Sequence, residues 1–253
     1  MNKIVIACDL DNTLIHSYKY KKDGDICIEW IDGEEQGFID EKTFELLEEV
    51  RKNAEFVPVT TRSIEQFTRI NWERDVCPEF AVTTNGAMLL KRGTKDSSWE
   101  DESKQLLENY RTELDDILAK LQEEDYYVRC RKVDEMYVYV SCKDGVDVDR
   151  IVSYYSDKTK LNIAASGRKI YFLPPDFNKG SAIERLKACF KPEFIIAAGD
   201  SKIDIPMLEK ADLAFCKPSI FDAVDNKNKR IFIDENDLMG SILNEIKSWE
   251  IIL

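Results

Sequence analysis

The chain has 253 residues, 43% of them hydrophobic, which is enough for one large domain or two modest ones with a real core. Its formal net charge of −13 speaks against nucleic acid or an anionic membrane surface as partner, because such partners demand clustered basic charge. Seven cysteines without CxxC spacing indicate neither a disulfide framework nor a zinc site, and a single histidine, His16, with no nucleophile elbow leaves acid-base chemistry to carboxylates. No apolar stretch approaches the roughly 18 residues that span a bilayer. Residues 1–3 lead into a strand-like run too short for a signal peptide, so a cytoplasmic location is expected.

In chain order, the first apolar run covers residues 4–8 and ends at Asp9-Leu10-Asp11-Asn12-Thr13. The turn Lys22-Asp23-Gly24-Asp25 and the alternating run Ile26-Cys27-Ile28-Glu29-Trp30 predict a β-hairpin flap within 18–38, beside those acids. A helix over 40–52 follows, then a strand over 56–59 that delivers Thr60-Thr61-Arg62, a helix over 64–73 and a strand over 80–83.

From about Asp101 the rhythm changes. A helix to 124, strands 126–132 and 135–141, a helix 146–160 and strands 161–165 and 168–173 read as helix-strand-strand, twice. Short polar turns at 133–134 and 166–167 make this a small antiparallel sheet with its helices on one face. After Pro174-Pro175 the earlier alternation returns: a helix over 181–190, a strand over 194–198 ending at Gly199-Asp200-Ser201, a helix over 205–210, strands 213–216 and 230–233, and a helix over 238–249. The pattern predicts an α/β fold. A parallel sheet covered by helices on both faces is built from 1–85 and 175–253, and an inserted α+β domain spans 86–174, with hinges near Asn85-Gly86 and Pro174-Pro175.

Asp9, Thr60 and Asp200 each stand just past the end of an apolar strand, where ligands of open α/β sheets collect. A phosphomonoester resists hydrolysis because it and its attacker are both anionic, so a site must supply a nucleophile, a cation and a proton donor. Asp9 can attack phosphorus to form an aspartyl-phosphate, and Asp11 can protonate the leaving oxygen and then deprotonate water. Mg²⁺ takes a few carboxylates from different loops and keeps waters, so Asp9, Asp200 and Asp204 suit it, although Asp204 can equally cap the helix that starts at Ile205-Pro206. Lys179 and the Thr60 hydroxyl can hold a phosphoryl group. Ser181 and Glu184 have capping-box spacing, which places Lys179 just before a helix N-terminus, a position that favours anions.

These four motifs, in this order and across the whole chain, resemble those of the haloacid dehalogenase (HAD) superfamily of phosphatases. The resemblance implies a Rossmann-like core, with Asp9 as nucleophile and metal ligand, Asp11 as general acid/base with its backbone carbonyl on the metal, and Thr13 as a structural loop residue. It further implies Thr60 as phosphate binder, Lys179 as the stabilising lysine, and Asp200 with Asp204 as magnesium ligands. The doubled helix-strand-strand insert resembles the α/β cap of the Cof-like group, which includes sucrose- and trehalose-phosphate phosphatases and phosphomannomutase. Asn12 and Thr61 stand where that group has glycines.

Thr61, whose hydroxyl could replace that of Thr60, Arg62 and Asn85 are further candidates for substrate contact. In the insert, Arg129, Arg131, Lys132, Arg168 and Lys169 either grip a second anionic group of the substrate or make surface ion pairs. The expectation is a Mg²⁺-dependent phosphatase of a small phosphorylated metabolite such as a sugar phosphate. A phosphomutase and a phosphorylatable or ligand-binding regulator are the alternatives.

Overall fold

A computed structural model describes residues 4–72 and 76–250. The helix expected over 64–73 ends at Thr68, and its expected last residue, Glu73, and the leader reading of residues 1–3 lie outside the described residues. The chain divides into two compact units, one formed by Met1–Asp96 with Lys179–Leu253 and the other by Ser97–Asn178.

The first unit is organised by a five-stranded parallel sheet in the order Lys229–Ile231, Leu213–Cys216, Phe194–Gly199, Ile4–Cys8, Glu55–Pro58. Every residue of Ile4–Cys8 is buried, as expected for a central strand covered on both faces. Cys8 lies opposite both Ala198 and Pro58, so three strands end at one edge. Two bonds carry the register past those ends: Asp9 N donates to Ala198 O at 2.9 Å and Val59 N to Cys8 O at 2.8 Å.

Helix Glu41–Arg51 starts at Asp40, whose carboxylate accepts from the amides of Lys42 and Thr43, and it buries Phe44, Leu47 and Val50. These join Leu238, Met239, Ile242 and Ile246 of helix Glu235–Glu250 in the main apolar cluster. Helices Lys179–Phe190 and Ile205–Lys210 pack on each other, the latter also against Phe194–Gly199 and Leu213–Cys216. Among the described residues no helix is long and apolar enough to cross a membrane.

Further expectations about this unit change. Phe80–Thr83 pairs antiparallel with Met88–Lys91, which pairs with Thr94–Lys95; it meets the main sheet through a bridge between Val59 and Val82. The flap reverses at Asp32-Gly33, both with positive φ, and joins Asp25–Ile31 to Glu34–Asp40, while the Gly24 turn lies before the first of these strands. An Asp-Gly pair is well suited to such a two-residue hairpin turn. The helix expected from 181 begins at Lys179, so the lysine stands inside the first turn instead of ahead of it.

The second unit has a four-stranded antiparallel sheet in the order Asn162–Ser166, Lys169–Leu173, Tyr137–Cys142, Tyr127–Val133. Arg111–Gln122 and Val148–Ser156 each precede a strand pair, which is the doubled helix-strand-strand motif. The single long helix expected to 124 is two, Ser97–Leu107 and Arg111–Gln122, separated where Tyr110 leaves helical geometry. The unit starts at Ser97 rather than at 86 because Met88–Lys91 and Thr94–Lys95 are hydrogen-bonded into the hairpin sheet of the first unit.

Candidate active site

Strand ends and one helix start converge on a buried lysine. The Lys179 ammonium is fully buried and donates to Asp9 Oδ1 and to Asp204 Oδ1, each at 2.5 Å. Asp204 is fully buried too, and its second oxygen accepts from the Asp200 amide at 3.1 Å, the Ser201 amide at 2.9 Å and the Ser201 hydroxyl at 2.9 Å. Asp204 therefore folds back on the loop after Phe194–Gly199; it stands at the start of helix Ile205–Lys210 without capping it through its side chain. Gly199 permits this, since a Cβ there would lie 2.4 Å from Asp204 Cβ.

Asp9, Asp200 and Asp204 each offer an oxygen within 4.8 Å of the others. Thr13 ties the first loop to the last by donating to Asp200 Oδ1 at 3.3 Å. Burial pushes the Asp9 carboxyl well above the usual carboxylate range; Lys179 pulls it down, and Asp204 and Asp200 push it further up. Asp200 is pushed up to about 6, first by burial and then by Asp204. Burial works against the Lys179 charge, but Asp204 and Asp9 outweigh it and hold the ammonium protonated. Three carboxylates against one ammonium form a negative, oxygen-only donor set, and that chemistry fits a hard divalent cation that keeps some of its waters.

Asp11 is placed differently. Its side chain is half exposed, and both carboxylate oxygens accept from Arg62, Oδ2 from Nε at 2.9 Å and Oδ1 from Nη2 at 2.8 Å. Thr60 is buried, with its amide on Val82 O and its hydroxyl oxygen accepting from the Arg62 amide at 3.1 Å. Its carbonyl accepts from the amide of Asn85, a buried residue at φ 55°, while the Thr84 amide donates to Arg62 O. Thr60, Arg62 and Asn85 thus share one pair of knitted loops, and Asp11 joins them through the guanidinium. Thr61 lies between Thr60 and Arg62 and is half-buried.

Sequence reading missed Glu29. It is buried, and Oε2 accepts from Arg62 Nη1 at 2.9 Å while Oε1 accepts from Arg69 Nε and Nη2 at 3.3 Å. In the alternating run it falls out of phase with Ile28, yet both are buried, because the pairing with Glu34–Asp40 shifts register on each side of Glu29. Nothing in the sequence marks those bulges. His16, by contrast, pairs with Asp25 at 2.7 Å within the flap.

A model of the haloacid dehalogenase-like hydrolase family matches residues 6–163 and 138–246. No curated protein matches the sequence. Among solved structures the chain is similar to the sucrose-phosphatase of Synechocystis sp. PCC6803, determined with sucrose and phosphate, at 18% identity and a TM-score of 0.66 over 98% of this chain and 99% of that one. It is also similar to Thermoplasma acidophilum 0175, at 15% identity and a TM-score of 0.65 over 98% and 99% of the two chains. BT1666 from Bacteroides thetaiotaomicron, described among the phosphatases of the haloalkanoate superfamily, shares 16% identity with a TM-score of 0.60 over 96% and 94%. At such identities the likeness is one of fold.

Proposed function

Given that the chain belongs to the haloacid dehalogenase-like hydrolase family, we propose that it is a cytoplasmic Mg²⁺-dependent phosphatase that hydrolyses a small phosphorylated metabolite, a sugar phosphate or a related polyol phosphate, through an aspartyl-phosphate on Asp9. The observation that carries this reading is the buried Lys179 bonded at once to Asp9 and Asp204, with Asp200 in the same carboxylate cluster. A nucleophile, a fixed positive charge and a cation-ready acid set then lie within one small volume.

Asp9 attacks phosphorus, and the bond from phosphorus to the leaving oxygen breaks as Asp11 gives that oxygen its proton. Water then attacks the aspartyl-phosphate, Asp11 takes the proton, and inorganic phosphate leaves with the Asp9 carboxylate restored. Lys179 and the proton of the Thr60 hydroxyl hold phosphoryl oxygens throughout. Asp9 and Asp200, with Asp204 or the Asp11 carbonyl in support, would hold Mg²⁺, whose charge would let an anionic nucleophile approach an anionic phosphate. Thr61, Arg62 and Asn85 line the substrate side of the phosphate. The seven free thiols suit a reducing compartment.

Substrate choice is assigned to the sheet of the Ser97–Asn178 unit. Its face away from Val138, Val140, Ile170 and Phe172 carries Arg129, Arg131 and Lys169 with Tyr139 and Tyr171, whose rings lie 5.5 Å apart. Arg168 instead pairs with Asp144, and Lys132 with Asp115. Cations beside phenol rings suit a polar, anionic metabolite.

The test is release of inorganic phosphate from a panel of sugar and polyol phosphates with Mg²⁺. Turnover on some members is expected, together with a loss on the order of 10⁴-fold in Asp9→Asn. Unchanged turnover in that variant would rule out the aspartyl-phosphate.

A further inference from the structure

We infer that Glu29 of the flap is a positioning residue for proton transfer: through Arg62 it sets the orientation of the Asp11 carboxyl. The inference rests on the phosphatase reading and adds to it a residue outside the four motifs.

Arg62 divides its fork between two acids. Nε and Nη2 take the two oxygens of Asp11, and Nη1 reaches Glu29 Oε2 at 2.9 Å and Gln66 O at 3.4 Å. A planar guanidinium has its donors in fixed directions, so anchoring Nη1 fixes the plane in which Nε and Nη2 present themselves to Asp11. The anchor is buried where the anchored group is not: Glu29 is 4% exposed, and its other oxygen is held by Arg69. The Asp11 side chain, by contrast, is 48% exposed. Hydrogen bonds to charged groups are also the stronger kind.

Flap geometry supports the same assignment. Register shifts on both sides of Glu29 bury a carboxylate that regular alternation would expose. Opposite it stands Gly37, where a Cβ would lie 3.1 Å from both Glu29 Cβ and Glu29 Oε2. The strand thus leaves room for Glu29 by omitting a side chain, at a position whose φ does not itself demand glycine.

Proton delivery to the leaving oxygen matters most when that oxygen is a poor leaving group. Misplacing Asp11 should therefore slow an alkyl phosphate and spare an aryl phosphate whose phenolate departs unaided. The experiment compares glycerol phosphate with p-nitrophenyl phosphate in the wild type, Glu29→Gln and Gly37→Ala, with melting in Mg²⁺ as the control for folding. Glu29→Gln keeps size and an acceptor but loses charge, and Gly37→Ala leaves Glu29 in place while pressing on it.

Both variants should lose roughly tenfold or more in kcat on glycerol phosphate, from the roughly 10²–10⁴-fold that a positioned acid supplies. They should lose less than about twofold on p-nitrophenyl phosphate, with KM little changed on either ester. Equal losses on both esters, or none on either, in folded variants of an active enzyme would overturn the inference alone. A wild type that turns over neither ester nor any member of the sugar and polyol phosphate panel would overturn the phosphatase reading and the inference with it.

Discussion

In the unit built on the parallel sheet Lys179, Asp9 and Asp204 are buried and bonded to one another, whereas among the described residues of the Ser97–Asn178 unit every ion pair has at least one exposed partner. Lys179 and Asp204 have no exposed surface, and their three bonded neighbours are fixed by strand ends and a helix start. Arg168 pairs with an Asp144 that is almost wholly exposed, and Arg129 and Lys169 are exposed cations on one sheet face. A buried ion carries a desolvation penalty that only well-made partners offset, so its geometry is fixed. An exposed pair contributes about 0–1 kcal/mol and can rearrange at little cost. The first arrangement suits a reaction common to many substrates, and the second suits the choice among them.

The contrast can be broken from the buried side first. Lys179→Met should remove the ammonium bonded to both Asp9 and Asp204, leaving buried carboxylates uncompensated. A stability loss of about 3–5 kcal/mol in urea unfolding is expected, with activity abolished. A loss below about 1 kcal/mol would mean that the cluster is no more coupled than a surface pair.

Cation binding sharpens the same point. The raised Asp200 carboxyl stabilises the metal-free fold below its unfolded value, and that contribution is lost as pH rises through about 6. Mg²⁺ should therefore stabilise more at pH 7 than at pH 5, where it must displace a proton. At a hundredfold excess over Kd the gain is about 2.7 kcal/mol, read as a shift in thermal midpoint. Equal shifts at both pH values would show that Asp200 takes no part in holding the cation.

Smaller effects belong to the other unit. Arg129→Ala with Lys169→Ala should change kcat/KM by about tenfold for anionic substrates, a difference of about 1.4 kcal/mol, while leaving the melting midpoint unmoved. Smallest is Arg168→Ala, whose exposed pair with Asp144 should contribute less than about 0.5 kcal/mol to stability and leave substrate preference as it was. If Arg168 proved the more selective position, the sheet face would lose its role to the turn.

The acids after apolar runs were readable because a buried parallel strand is written as a continuous β-branched stretch, and Asp9 and Asp200 are the first carboxylates past two of them. The doubled helix-strand-strand unit was readable from the change of period. Asp204 was harder: its spacing before Ile205-Pro206 suits a helix cap, and only the backward turn of the loop over Gly199 turns it toward Lys179 and Ser201. The limit of the insert was misplaced by eleven residues because a hairpin partner such as Met88–Lys91 can belong to either neighbour until pairing is known. Glu29 was hidden by the register shifts that bury it.

By itself the sequence determined which groups could do chemistry and in what order the strands that carry them would come, because composition, period and chain breaks are local properties. Only the tertiary structure decided how those groups divide, with Lys179 between Asp9 and Asp204, and Arg62 between Asp11 and Glu29. Each of these bonds joins residues at least 25 positions apart, and such partners meet only when the strands have taken their places beside one another.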